Sequence, residues 1–271
     1  MWGMVKRIGI MCPGKPILPE RAQAVLDLAA RDYPQLELVL HPAATVEHGH
    51  FAGDDATRLA AFLDFANDPA FDAIWFGMGG YGSNRIAADA LAALGDAAQD
   101  KAYLGYSDCG TLLGALYRNG VGKPVHGPLA GDIRRGEEPV RRVLDWFSGN
   151  ERGLEPGLDH RPAAAFNLMT LAMLVGTEFM PDLTGHVVLV EEVAEHLYAV
   201  DRLFFHITQH LHGIAGIRLG EISDVPENDR PFGQSEVEIA EYWCAKSGIP
   251  YLGRAEIGHS ATNRIVPFGL A

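Results

Sequence analysis

Apolar positions in the first half of the chain follow two alternating rhythms. Short unbroken runs, Val5 to Met11, Leu36 to Leu40 and Phe71 to Phe76, read as buried strands. Between them, Glu20 to Arg31 and Asp54 to Ala66 carry apolar residues at helical spacing, with Asp54 and Asp55 suited to the N-terminal turn of the second helix. The alternation continues with a helix from Asn84 to about Leu94, a strand around Ala102 to Gly105 and a helix from about Cys109 to Asn119. Strands alternating with helices of this length predict a parallel sheet with helices on both faces.

The pattern changes after Trp146. Ser148 to Ala163 holds three Gly, two Pro and several charges, which predicts a linker. Beyond it, Val187 to Val190 reads as a buried strand leading into a long helix with apolar residues at Val193, Leu197, Val200, Phe204, Ile207 and Leu211. A strand around Gly216 to Ile222, a polar loop from Asp224 to Gly233, a helix from Glu236 to Lys246 and short strands near Tyr251 and Ile265 complete the reading. The expectation is an α/β domain over 1–150, a linker over 151–164 and a smaller domain over 165–271, with a cleft between them.

Composition narrows the function. A chain of 271 residues with 48% hydrophobic and 21% charged residues is long and apolar enough for a real core, which excludes disorder. The net charge of -13 would repel a phosphate backbone, so neither nucleic acid nor an anionic membrane is an expected partner. Cys12, Cys109 and Cys244 are odd in number and form no CxxC, so no disulfide framework is indicated. The N-terminus lacks a long apolar stretch and no run is long enough to span a bilayer, which points to the cytoplasm.

Three places could carry chemistry. Gly77-Met78-Gly79-Gly80-Tyr81-Gly82 formally matches a dinucleotide fingerprint, with Asp96 or Asp100 near the distance of a ribose-binding acid. The loop follows a third strand, however, and the same glycines serve a tight turn or present N–H groups to an oxyanion. Ser107 sits between a strand and a helix, where it can be a nucleophile with the Asp108 N–H beside it; Ser107 or Asp108 can equally cap the helix. Cys109 is a rival nucleophile without a cationic neighbour in sequence. Glu191 and Glu192 end an apolar strand and point to opposite faces, one toward a cleft and the other toward solvent. His259 lies in a Gly-flanked turn, and an acid with a histidine is what a serine nucleophile requires. His206 and His210 share a helix face, but no third ligand matches, so no metal site is expected.

At these residues the chain resembles the LD-carboxypeptidase family of serine peptidases, which includes the microcin C self-immunity peptidases. The resemblance runs in order through Phe51-Ala52-Gly53-Asp54 with Arg58-Leu59, Gly79-Gly80-Tyr81-Gly82 with Arg85, and Gly105-Tyr106-Ser107-Asp108. It continues through His126-Gly127-Pro128, Val190-Glu191-Glu192 with Asp201-Arg202, and Gly258-His259 with Pro267 and Gly269. It implies a Ser107–Glu191–His259 triad, no cofactor, a parallel-sheet domain carrying the nucleophile, a smaller β-rich α/β domain carrying the other two, and a homodimer. Gly80, Asp108 and Asn167 are the expected oxyanion or substrate-binding positions. The implied reaction is release of D-Ala from a murein tetrapeptide during cell-wall recycling.

The chain departs from the family pattern in three places. Met78 replaces the Arg that usually precedes Gly-Gly-Tyr-Gly, Ala165-Phe166 replaces Gly-Gly before Asn167-Leu168, and two residues follow Gly269 where the family continues into a strand. An alternative substrate is an aminoacyl-nucleotide amide, whose base stacks on an aromatic platform. Trp2, Trp75, Trp146 and Trp243 fall in the terminus or in predicted strands and helices, so the murein peptide leads.

Overall fold

Two parallel sheets, joined edge to edge by the returning C-terminal segment, organise residues 6–269, which the computed structural model describes. The first is built from β1 (Arg7–Met11), β2 (Glu37–Leu40), β3 (Ala73–Phe76), β4 (Ala102–Gly105) and β5 (Lys123–His126). Its helices are α1 (Pro19–Asp32), α2 (Asp55–Ala66), α3 (Ser83–Ala92), α4 (Gly110–Arg118) and α5 (Glu137–Phe147). The second contains β6 (Ala163–Asn167), β7 (Val187–Val193), β8 (Gly216–Ser223) and β9 (Tyr251–Arg254), with α6 (Leu168–Leu174), α7 (Leu197–His210) and α8 (Glu236–Ser247). A short β10 (Val266–Pro267) is the last strand among the described residues and adds antiparallel to β5, giving a first sheet ordered β10-β5-β4-β3-β1-β2 beside the second, β6-β7-β8-β9.

Burial explains why the strand sequences are continuous apolar runs. Ala73 to Phe76 and Ala102 to Gly105 are buried along their whole length, because helices cover both faces. One face packs Phe62, Ile86 and Leu112, and the opposite face packs Val25, Leu28, Val140 and Leu144. The first of these clusters continues through Phe166 into Val188, Val190, Phe204 and Ile217. The two sheets therefore share a hydrophobic core, and the Ala163–Gly269 bridge ties their edges together.

Several elements went unmarked in the sequence. β5 contains Lys123 and Pro124, residues that argue against a strand, yet it pairs with β4 on one side and β10 on the other. β6 begins with three alanines, which lack the branched side chains that signal strands. All five β6 residues are buried, so small volume rather than β-propensity decides there. Ala163 and Ala164 thus belong to β6 rather than to a linker. The rest of the 151–164 segment is also fastened, since Leu154 bridges Ile265 and buried Glu155 pairs with Arg218. Val193 closes β7 instead of opening the helix, and Val5 and Trp2 lie outside the described residues.

Candidate active site

Ser107 immediately follows Tyr106 at the end of β4 and opens a tight 3-10 turn, Ser107–Cys109, that runs into α4. Its φ of +62° lies in the left-handed region, which costs an L-residue about 1–2 kcal/mol. Such strain persists only where surrounding structure enforces it, and it concentrates at functional sites. The turn aims the hydroxyl away from its own helix, and Ser107 Oγ lies 3.1 Å from His259 Nε2. On the other side of the ring, His259 Nδ1 is 2.7 Å from Glu191 Oε2. A carboxylate only accepts, so Nδ1 carries a proton, and in the neutral tautomer Nε2 presents its lone pair to the hydroxyl. Glu191 is 0% exposed and the His259 side chain 10%, which keeps this hydrogen-bond chain largely dry.

Each member comes from a different element. Ser107 is fixed by the first sheet, Glu191 by β7 of the second, and His259 by the loop between β9 and β10. The three meet at the C-terminal ends of parallel strands, where backbone groups and loops converge in α/β sheets.

The two glutamates do point to opposite faces, but neither is solvated. Glu192 is 2% exposed and accepts from Asn167 Nδ2 at 2.7 Å, Met169 N at 2.8 Å and Val193 N at 2.9 Å. Burial raises its carboxyl above the usual range, and these donors oppose that rise. Asn167 also accepts from Thr170 N at 3.0 Å and so caps α6, committing both ends of its amide. It reaches the Ser107 turn through Thr170, whose hydroxyl lies 3.4 Å from the Ser107 carbonyl.

Asp108 caps a helix other than the one it precedes. Its Oδ2 accepts from Ser83 N at 3.0 Å and Ser83 Oγ at 2.7 Å, tying the start of α3 to the Ser107 turn. Burial pushes its carboxyl up, and the Ser83 hydroxyl and backbone counter that shift. The glycine loop between β3 and α3 is thereby drawn against Ser107. A Cβ on Gly79 would stand 3.2 Å from Ser107 Cβ and 3.3 Å from Oγ, so only glycine permits this approach without displacement. Gly80 has φ +96° and packs against Lys15. Met78 turns away into the core beside Gly131, and its carbonyl accepts from Cys109 Sγ at 3.7 Å. Cys109 is fully buried, which drives its thiol well above the ordinary range and removes it as a nucleophile at neutral pH.

The dinucleotide geometry fails on topology. Asp96 and Asp100 lie in the 3-10 turn that enters β4, at the opposite end of the sheet from the glycine loop leaving β3. Among the described residues, no group of three or more His, Cys, Asp or Glu could hold a metal ion, and no helix is long and apolar enough to cross a membrane. Sequence reasoning passed over Tyr106, whose ring packs 4.7 Å from that of His259 and 5.5 Å from that of His126. Its position next to Ser107 was the available signal.

Comparison with known proteins identifies the family. The LD-carboxypeptidase N-terminal domain model matches residues 8–127, and the C-terminal domain model matches residues 164–271. A relative from Synechocystis sp. that carries a carboxypeptidase name is 30% identical over 82% of this chain and 75% of its own length. The murein tetrapeptide carboxypeptidase of Pseudomonas aeruginosa is 25% identical over 97% of this chain and 91% of its own. The muramoyltetrapeptide carboxypeptidase of Oxalobacter formigenes shares the fold with a TM-score of 0.81 at 24% identity, covering 96% of this chain and 93% of that one. The microcin C7 self-immunity protein MccF, in complex with aspartyl sulfamoyl adenosine, does so with a TM-score of 0.79 at 18% identity, covering 98% and 92%. With both halves matched in order, this chain belongs to the LD-carboxypeptidase family.

Proposed function

We propose that the protein is a serine carboxypeptidase that hydrolyses the amide between an L-configured centre and a terminal D-amino acid, releasing D-Ala from murein tetrapeptide. The hydrogen-bond chain from Ser107 through His259 to Glu191 carries the reading. Ser107 Oγ attacks the amide carbon as its proton passes to His259 Nε2. The carbonyl electron pair moves onto oxygen, where the N–H groups of Asp108 and the Gly79–Gly80 turn are the proposed donors. Collapse expels the D-amino acid as an amine, which takes the proton from His259. Water, deprotonated by the same nitrogen, then attacks the ester, freeing the shortened peptide and restoring Ser107. Glu191 fixes the tautomer and stabilises the imidazolium. The names of the murein carboxypeptidase relatives support this substrate class. The same reading extends to a cytoplasmic homodimer acting in cell-wall recycling.

A second substrate reading rests on Tyr81, which is 73% exposed on the glycine loop and packs 5.0 Å from the His50 ring. Such a pair offers a surface on which a nucleobase stacks, as an aminoacyl-nucleotide amide would require. Trp75 and Trp146 are buried, and Trp243 is hydrogen-bonded to Asp201 on α7. The deciding assay offers purified protein a tetrapeptide ending in D-Ala, its L-Ala epimer and an aminoacyl-sulfamoyl adenosine. Release of Ala from the D-form alone, abolished by Ser107→Ala, is expected. Equal release from the L-epimer, turnover of the adenosine compound alone, or an active Ser107→Ala variant overturns the proposal.

A further inference from the structure

We infer that His126, Asn263 and Arg142 are positioning residues that hold the His259 loop against the nucleophile, an inference that rests on the triad reading above. The loop from Ile257 to Asn263 belongs to the C-terminal part of the chain, yet Asn263 fastens it to β5 and α5 of the first half. Asn263 is 0% exposed, and its Oδ1 accepts from Gly258 N, the residue before His259, at 3.2 Å. The same oxygen lies 3.0 Å from Nε2 of His126, at the end of β5. The Gly258 N–H fixes the orientation of the amide, because a flipped Asn263 would set two donors facing each other. His126 must therefore donate from Nε2. Burial pulls its pKa down to about 4, so the ring is neutral near pH 7 and that nitrogen holds its single ring proton.

A second clasp comes from α5. Arg142, 7% exposed, donates from Nη1 to the Asn263 carbonyl at 2.6 Å and to the Ala261 carbonyl at 3.1 Å. The base of the loop is closed by Arg264 N to the Glu256 carbonyl at 2.9 Å and by the Arg264–Glu256 ion pair at 2.9 Å. Tyr106, adjacent to Ser107, contacts both the His126 and His259 rings. Ser107 and His259, 152 residues apart, are thus both referenced to the first sheet, in addition to the contacts that the loop makes with β7 and β8. A misplacement of about 1 Å at such a contact can cost on the order of 100-fold in rate, which is the scale this clasp would govern.

The test pairs a disruptive and a conservative change at His126, read per active site by titration with a fluorophosphonate, with thermal midpoints recorded in parallel. His126→Leu removes the donor and should lower kcat and the rate of Ser107 phosphonylation together by about 10–100-fold, with KM changed little. His126→Gln offers an N–H at similar reach and should recover most of that loss. Arg142→Ala and Arg142→Lys, acting from the other side of the loop, should show the same loss and partial recovery and serve where His126→Leu does not fold. Unchanged kcat per active site in His126→Leu, or in Arg142→Ala where only that variant folds, overturns the inference. So does a loss in His126→Gln as large as in His126→Leu. Wild-type turnover by Ser107→Ala would instead remove the triad reading beneath it.

Discussion

Gly220 in β8 approaches Glu191 in β7 so closely that a Cβ at position 220 would stand 2.9 Å from Glu191 Cβ. The same atom would meet the Ile257 carbonyl oxygen at 2.6 Å. This crowding falls where the β7–β8 register shifts, between Val190 and Glu192, and Glu221 N bonds the Ile257 carbonyl at 2.8 Å. The irregularity brings the His259 loop down onto the acid.

Gly220→Ala should therefore separate Glu191 from His259. Overpacking at a backbone contact costs roughly 1–3 kcal/mol. A fall in kcat of about 10-fold or more is expected alongside a lower thermal midpoint, since small misalignments of a catalytic group have large rate effects. Full activity in a stably folded Gly220→Ala protein would show that the approach does not govern the pair.

Replacement of Ser107 should separate strain from catalysis. Both Ser107→Ala and Ser107→Gly lose the hydroxyl, but only glycine is relaxed at φ +62°. Ser107→Gly should be the more stable of the two inactive variants by about 1 kcal/mol in urea unfolding. Equal stabilities would mean that the turn stores no strain.

The adjacent acids should divide between turnover and stability. Glu191→Gln weakens the partner of His259 and should reduce kcat severely with modest loss of stability. Glu192→Gln places an NH2 group among three donors and should cost about 1–3 kcal/mol of folding free energy, with turnover per folded molecule less affected. Equal kinetic damage from both would contradict their assignment to opposite faces.

Acid stability should carry the signature of His126. Above the ordinary histidine value of 6.5 the ring is neutral in folded and unfolded chains alike. Between 6.5 and about 4 the unfolded chain binds a proton that the folded chain does not, so stability falls as pH drops through that window. The full difference amounts to about 3 kcal/mol. His126→Gln should flatten this part of the pH–stability curve, measured from urea midpoints across the window. A slope identical to wild type would assign the effect to other groups.

Exhaustive chelation should leave turnover unchanged, because every proposed step uses side chains and water. A rate that falls with chelator and returns with a divalent cation would require a different mechanism.

Much of the first sheet was legible because both of its faces are covered. Strands such as Ala73 to Phe76 must be apolar throughout, and their helices must carry apolar stripes, so local pattern and tertiary burial agree. The Ser107 turn and the Glu191–His259 pair were legible through motif order, each motif being short and contiguous. β5 and β6 were not, because Pro124 and the alanines of β6 reflect neighbours that the chain supplies elsewhere.

What the sequence by itself determined was the alternation of strands and helices, the residue types available for acyl transfer and the family pattern in which they stand. Tertiary structure decided that Glu192 is buried beside Asn167, that Asp108 caps α3, and that Asn263 and Arg142 fasten the histidine loop. These are contacts between residues from 25 to 137 positions apart wherever they cross between elements. Hydrophobic periodicity records whether a residue faces inward, but carries no address for its polar partner. That address exists only once the sheets have stacked their strand ends together.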